Sequence, residues 1–118
     1  MNLKKNIILL TRKLPQKIEE KLQKKYTVIA NKSDKKYTYA ELKKKVTDID
    51  ILVPCISDTI DASIIKAAKK LKLISNFGNG VDNLDLVTAK ENNIIVTNTP
   101  DVLTEDTADL VLTMILMI

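Results

Sequence analysis

Residues 71–100 read LKLISNFGNGVDNLDLVTAKENNIIVTNTP and hold both glycines of the chain, Gly78 and Gly80. The pair lies one residue apart in Phe77-Gly78-Asn79-Gly80-Val81, after the apolar Leu71, Leu73 and Ile74 and before Asp82 and Asp85. That is the order of a strand, a tight loop and a capped helix. Glycine has no Cβ, so it reaches positive φ and lets another group approach the backbone closely. Two glycines around Asn79 therefore predict a loop whose N–H groups face outward, a cradle for an anion. Downstream, Asp85 is an N-cap for a short helix over residues 86–91, and Asn92-Asn93 can end it in the left-handed conformation. Ile94-Ile95-Val96 then reads as the next strand, ending at Thr97-Asn98-Thr99-Pro100.

The same alternation extends upstream. Residues 6–11, NIILLT, form a continuous apolar run with β-branched members, the pattern of a parallel strand covered on both faces. Pro15 suits a first helical turn, and Leu14, Ile18 and Leu22 recur every fourth residue, giving an amphipathic helix to about Lys25. Residues 26–29 are a second strand. Thr38 and Glu41 form a capping-box pattern that opens a second helix to about Val46, with Leu42 and Val46 facing inward. Residues 49–53 are strand three, stopped by Pro54. Asp61 caps a third helix over residues 62–70, with Ile64, Ile65, Ala68 and Leu71 inward, and residues 73–75 are strand four. Strands alternating with helices on short connections predict an α/β fold, a doubly wound parallel sheet of five strands. All three prolines and both glycines follow a predicted strand. Ligands of open α/β sheets bind outside that carboxyl edge, where strand order reverses.

Composition narrows the function. The net charge of +4 comes from 19 Lys and Arg against 15 Asp and Glu, and Arg12 is the only arginine. Nucleic-acid readers favour arginine forks and stacking aromatics, so a solvated lysine surface is expected, with no nucleic-acid partner. No apolar run approaches the ~20 residues of a membrane span, and residues 1–13 lack the pattern of a signal peptide, so cytoplasmic placement is expected. A lone cysteine, Cys55, allows no internal disulfide and reads as a buried, inert thiol. The chain has no histidine, which excludes a histidine base, a Ser-His-Asp triad and any histidine metal ligand within it. Asp82 and Asp85 read as capping and loop groups rather than as an acid/base or metal pair, and Asn98 and Thr99 as turn formers at the sheet's edge.

Residues 104–118 differ from the rest. Thr104 is a candidate N-cap, with Glu105, Asp106 and Asp109 near the positive helix end. From Leu110 to Ile118 the helix is apolar on nearly every face, so burial on all sides is expected, with a second domain or subunit covering what one sheet cannot. The run ends without a C-cap, and a fragment of a longer protein is expected.

Taken in order, TRKLP (residues 11–15), ISDTIDASIIKAA (residues 56–68) and residues 71–110 resemble the N-terminal part of D-isomer-specific 2-hydroxyacid dehydrogenases, closest to the glyoxylate/hydroxypyruvate reductase branch. Its most specific piece is Val96-Thr97-Asn98-Thr99-Pro100 followed by Val102-Leu103-Thr104-Glu105. The resemblance implies a bilobed oxidoreductase. Residues 1–103 would be a flavodoxin-like substrate domain, and residues 104–118 the start of a truncated interdomain helix leading to a Rossmann domain for NAD or NADP. It implies that backbone N–H groups at Asn79 and Gly80 take the carboxylate of a small 2-oxo or 2-hydroxy acid. Ile56 and Ser57 would flank the substrate, and Thr104 would lie near the nicotinamide. Family members commonly carry valine where Asn79 stands. The family's arginine, glutamate and histidine lie in the Rossmann part, and no G-x-G-x-x-G follows a strand here. No catalytic or metal-binding residue is therefore expected in this chain. Alone it should bind no cofactor and transfer no hydride, and it should pair as a homodimer through its apolar helix.

A free-standing module that binds a small carboxylate without catalysis remains the alternative. A receiver domain needs acidic residues after strands one and three, where Thr11-Arg12 and Pro54-Cys55 stand, and Thr11-Arg12-Lys13-Leu14 is not a flavin phosphate loop.

Overall fold

The computed structural model describes residues 5–117. Ile118 of the apolar run and residues 1–4 of the segment weighed as a signal peptide lie outside them. In chain order the elements are β1 (Ile7–Leu10), α1 (Gln16–Lys25), β2 (Thr27–Ile29), α2 (Tyr39–Lys45), β3 (Ile51–Val53), α3 (Ala62–Ala67), β4 (Leu73–Ser75), α4 (Leu86–Glu91), β5 (Ile95–Thr97) and α5 (Thr104–Leu116). A 3-10 turn over Val46–Asp48 joins α2 to β3. All five strands run parallel in the order β2-β1-β3-β4-β5, the doubly wound arrangement expected of a flavodoxin-like sheet.

The strand register divides the apolar residues between two faces. Leu9, Leu52, Ile74 and Val96 lie side by side on one face and pack with Leu42, Ile64, Ile65 and Ala89 from α2, α3 and α4 and with Val46 and Ala68 just beyond the ends of α2 and α3. The other face carries the row Ile8, Ile51, Leu73 and Ile95. Here cover fades across the sheet. Ile8 is buried, Ile51 and Leu73 are half-buried, and Ile95 is 65% exposed. Cover on both faces thus holds for β1 alone. The amphipathic α1 has no buried residue, and Leu14, Ile18 and Leu22 wall an open apolar groove with Val53 and Phe77.

Local chemistry places the helix ends. Thr38 caps α2 with both reciprocal bonds of a capping box, Glu41 N to Thr38 Oγ1 at 3.2 Å and Thr38 N to Glu41 Oε2 at 2.8 Å. Thr38→Ala should lower stability by about 1 kcal/mol, read from urea unfolding midpoints. Asp61 and Asp85 cap α3 and α4 through bonds from Ile64 N and Thr88 N, each at 3.0 Å. Asn93, not Asn92, takes the left-handed conformation after α4, at φ 56°. Pro15 stands at the N-cap of α1, one residue before its first turn.

These bonds set the acid limb of stability. Backbone donors hold the Asp61, Asp85 and Glu41 carboxyls below their ordinary values of 3.8 for Asp and 4.5 for Glu, the first donors being Ile64, Thr88 and Thr38. Each ionises more readily folded than unfolded, so its contribution is complete above those values and is lost as pH falls beneath them. With no histidine in the chain, urea midpoints should stay level between about pH 5 and 8 and fall below about pH 4. The double change Asp61→Asn with Asp85→Asn should flatten that fall.

Helix α5 departs from expectation. Expected to be covered by the sheet on one side and by a second domain or subunit on the other, it is exposed along its length within this chain, from Val111 at 51% to Leu116 at 78%. The sheet edge it leaves offers no second layer, and it projects outward, giving extents of 61 × 32 × 24 Å. Among the described residues no helix is long and apolar enough to cross a membrane.

Candidate functional site

Two loops meet at the carboxyl edge of the sheet. Parallel bridges pair Cys55 with Phe77 and Ile60 with Leu84, so the loops after β3 and β4 run side by side. The glycine loop lies one strand from the β1/β3 reversal point, beside the loop that rises from it.

Asn76 and Asn83 hold the glycine loop from within. Asn76 is 1% exposed. Its Nδ2 donates to Gly80 O at 2.9 Å and to Asn83 Oδ1 at 3.1 Å, while Asn83 Nδ2 donates back to Asn76 Oδ1 at 3.1 Å and to Cys55 O at 3.2 Å. The backbone is pinned as well, by Asn76 N to Thr97 O and Phe77 N to Pro54 O, both 2.8 Å, and by Thr99 N to Gly78 O at 3.0 Å.

Neither glycine has positive φ, which corrects one of the two reasons given for them. Gly78 is required by close approach: a Cβ there would overlap Ile56 Cγ2. Gly80 meets nothing within 4 Å. The N–H groups also differ from expectation. Gly78 N turns back to Asn76 O at 3.0 Å, whereas among the described residues Asn79 N and Gly80 N donate to no protein acceptor. Both residues are exposed. Two adjacent donors without a protein acceptor, on exposed residues of a braced loop, can receive an oxyanion.

Asp58 braces the neighbouring loop. It is buried, its N donates to Cys55 O at 2.9 Å, and its Oδ2 accepts from Cys55 N at 2.8 Å and from the Thr11 hydroxyl. Ile56 and Ser57 form the exposed tip of this turn, with Ile56 against Gly78. Ile56, Asn79 and Gly80 thus come together around Gly78, with Ser57 next along the tip. Cys55 is half-buried rather than buried, and its backbone, not its thiol, makes the structural contacts. Asp85 is occupied as a cap and Asp82 is exposed, so no carboxylate pair forms. Arg12 is engaged elsewhere, donating to Asp34 at 3.0 Å; that bond raises the guanidinium pKa and lowers the carboxyl's.

None of Asn76, Asn83, Asp58 or Thr11 stands out in the sequence, although each follows an apolar strand or brackets the glycines. The one available signal is Asp58 three residues after Cys55, a spacing at which an Asp side chain reaches back to a turn N–H.

Asn79 ties this site to α5. Its side-chain Oδ1 accepts from Asp101 N at 2.8 Å, and its carbonyl accepts from Asn98 Nδ2 at 2.8 Å. Asp101 is held at φ 60°, so the left-handed turn that launches α5 is fastened to the loop. Thr104 is the first residue of α5 and not its N-cap; Leu103 takes that position, and the Thr104 hydroxyl points to Asp101 Oδ1 at 3.4 Å. A groove of about 660 Å³ runs from Asn79 past Leu103, Thr104 and Thr107 to Val111 and Ile115. Its lining is mostly apolar, with Asn79, Thr104 and Thr107 as its polar residues. No lysine, arginine or glycine lines it, so it does not fit a pyrophosphate.

The comparisons with known proteins agree with the parallel α/β fold. Residues 8–112 match the model of the D-isomer specific 2-hydroxyacid dehydrogenase catalytic domain. A glyoxylate reductase of Thermococcus onnurineus is 38% identical over 103 residues, covering 87% of this chain and 31% of the relative. One from Thermococcus kodakarensis is 38% identical over 109 residues, covering 92% and 33%. Among solved structures, a Thermus thermophilus protein aligns with TM-score 0.83 at 40% identity, covering 93% of this chain and 35% of that one. An NADPH-dependent glyoxylate/hydroxypyruvate reductase from Sinorhizobium meliloti, solved with NADP and malonate, aligns with TM-score 0.74 at 27% identity, covering 95% and 34%. The chain therefore spans about a third of the length of these relatives. With its parallel five-stranded sheet and its match over residues 8–112, the chain belongs to the D-isomer specific 2-hydroxyacid dehydrogenase family.

Proposed function

We propose that this chain is the substrate-binding part of an NAD(P)-dependent 2-hydroxyacid dehydrogenase acting on a small acid such as glyoxylate or hydroxypyruvate. The observation that carries the reading is the pair of unengaged donors, Asn79 N and Gly80 N, on a loop clamped by Asn76 and Asn83. A carboxylate received there is held by charge-assisted bonds in a fixed orientation. In this reading Ile56 and Ser57 flank the acid, and Thr104 lies near the nicotinamide. The nicotinamide, when bound, supplies or accepts the hydride; this chain orients the acid and presents an apolar wall.

Residues 1–103 form the substrate domain in this reading, and residues 104–118 begin the helix that leads to the nucleotide-binding domain. The bare apolar surface of α5 and the uncovered outer face at Ile95 support it, because both are surfaces suited to burial against further protein. The arginine, acid/base and nucleotide loop belong to that further sequence, so the chain alone is inactive and holds no cofactor. Pairing of two copies through α5 and a cytoplasmic location complete the proposal.

The test is the reading frame that follows codon 118. Expressed with it, the protein should consume NAD(P)H on addition of glyoxylate or hydroxypyruvate, while the chain alone should not. A frame encoding no nucleotide-binding unit, or a longer protein inert toward every 2-oxo acid, would refute the proposal.

A further inference from the structure

We infer that Asp58 is a positioning residue for the loop that presents Asn79 and Gly80, acting through hydrogen bonds that start at Thr11 and end on Gly80. The inference rests on the substrate site proposed above. Asp58 is 1% exposed, and its Oδ2 joins the Thr11 hydroxyl at the end of β1 to Cys55 N. Cys55 O accepts from both Asp58 N and Asn83 Nδ2. Asn83 exchanges two bonds with Asn76, and Asn76 Nδ2 closes on Gly80 O. A second route is steric, since Ile56 at the tip of the same turn packs against Gly78. Displacing Cys55 therefore moves the substrate loop by two paths.

One oxygen of Asp58 does all of this. Oδ1 is buried and has no hydrogen-bond partner among the described residues. An unpaired buried oxygen destabilises a fold. It also makes a sharp test possible. In Asp58→Asn the amide oxygen accepts the two bonds of Oδ2 while the nitrogen takes the place of Oδ1, so the connection survives. Asp58→Leu removes it. Thr11→Val deletes only the first hydroxyl donor at nearly constant shape, and it serves if Asp58→Leu does not fold.

The experiment records amide resonances of the 118-residue chain and these variants, first without ligand and then with oxalate as probe. Without ligand, Asp58→Leu and Thr11→Val should move the Gly80 and Asn83 resonances, and Asp58→Asn should restore the wild-type positions. With oxalate, Asp58→Leu should weaken binding about tenfold or more, and Asp58→Asn should stay within about threefold. Wild-type Gly80 resonances in the folded Asp58→Leu and Thr11→Val chains would overturn the inference, as would an Asp58→Asn chain that behaves like Asp58→Leu. If oxalate fails to bind the wild type while Gly80 still moves in the variants, the positioning role stands and the substrate reading falls.

Discussion

Gly78→Ala should lower stability by about 1–3 kcal/mol, because the new methyl must displace Ile56 or the loop itself in an already closed contact. The backbone conformation is not the obstacle, since φ at Gly78 is not positive. The obstacle is overlap with Ile56 Cγ2. Two companion changes separate the causes. Gly80→Ala meets nothing within 4 Å and needs no unusual φ, so it should be neutral or stabilising by about 0.4–1 kcal/mol through the unfolded chain. Ile56→Ala in the Gly78→Ala background removes the methyl it strikes and should recover most of the loss. Urea midpoints on the four chains decide this. Equal losses at Gly78 and Gly80 would contradict the packing described for the loop.

Asn76→Ala should be at least as damaging, on the order of 3 kcal/mol, because it strands Gly80 O and the Asn83 amide together. Asn76 is almost fully buried, so water does not replace its bonds at that end. The functional consequence should exceed the energetic one. Freed from Asn76, the loop no longer fixes the direction of Asn79 N and Gly80 N, and hydrogen exchange at Phe77 N and Thr99 N, whose bonds pin the loop, should rise even where the rest of the sheet keeps its protection. Unchanged exchange at Phe77 and Thr99 would mean that the Asn76–Asn83 pair does not brace the loop.

The layered fold was legible because its signals are local. Apolar runs at residues 7–10, 51–53 and 73–75 alternate with caps at Thr38, Asp61 and Asp85 that all form as read. Boundaries drifted where propensity gave way to context. Helix α3 stops at Ala67 and β3 starts at Ile51, because Ala68, Leu71 and Ile49 are drawn into the core outside regular structure. The position of the glycine loop at the carboxyl edge of the sheet was also legible, but not its construction. The bonds that make it, from Thr11 to Asp58 and from Asn76 to Asn83, cross 47 and 7 residues, and no periodicity encodes them. The exposure of α5 was unreadable for a related reason. An all-apolar helix states that it wants cover, not which surface supplies it.

The proposed site consists of two backbone donors without a protein acceptor, Asn79 N and Gly80 N. The most direct measurement follows the amide resonances of the 118-residue chain during titration with glyoxylate or oxalate to millimolar concentration. Asn79 and Gly80 should shift most and saturate together, Ile56 and Ser57 should shift less, and α3 should stay still. Resonances of Asn79 and Gly80 that remain fixed at millimolar acid, or shifts centred on any other loop, would contradict it.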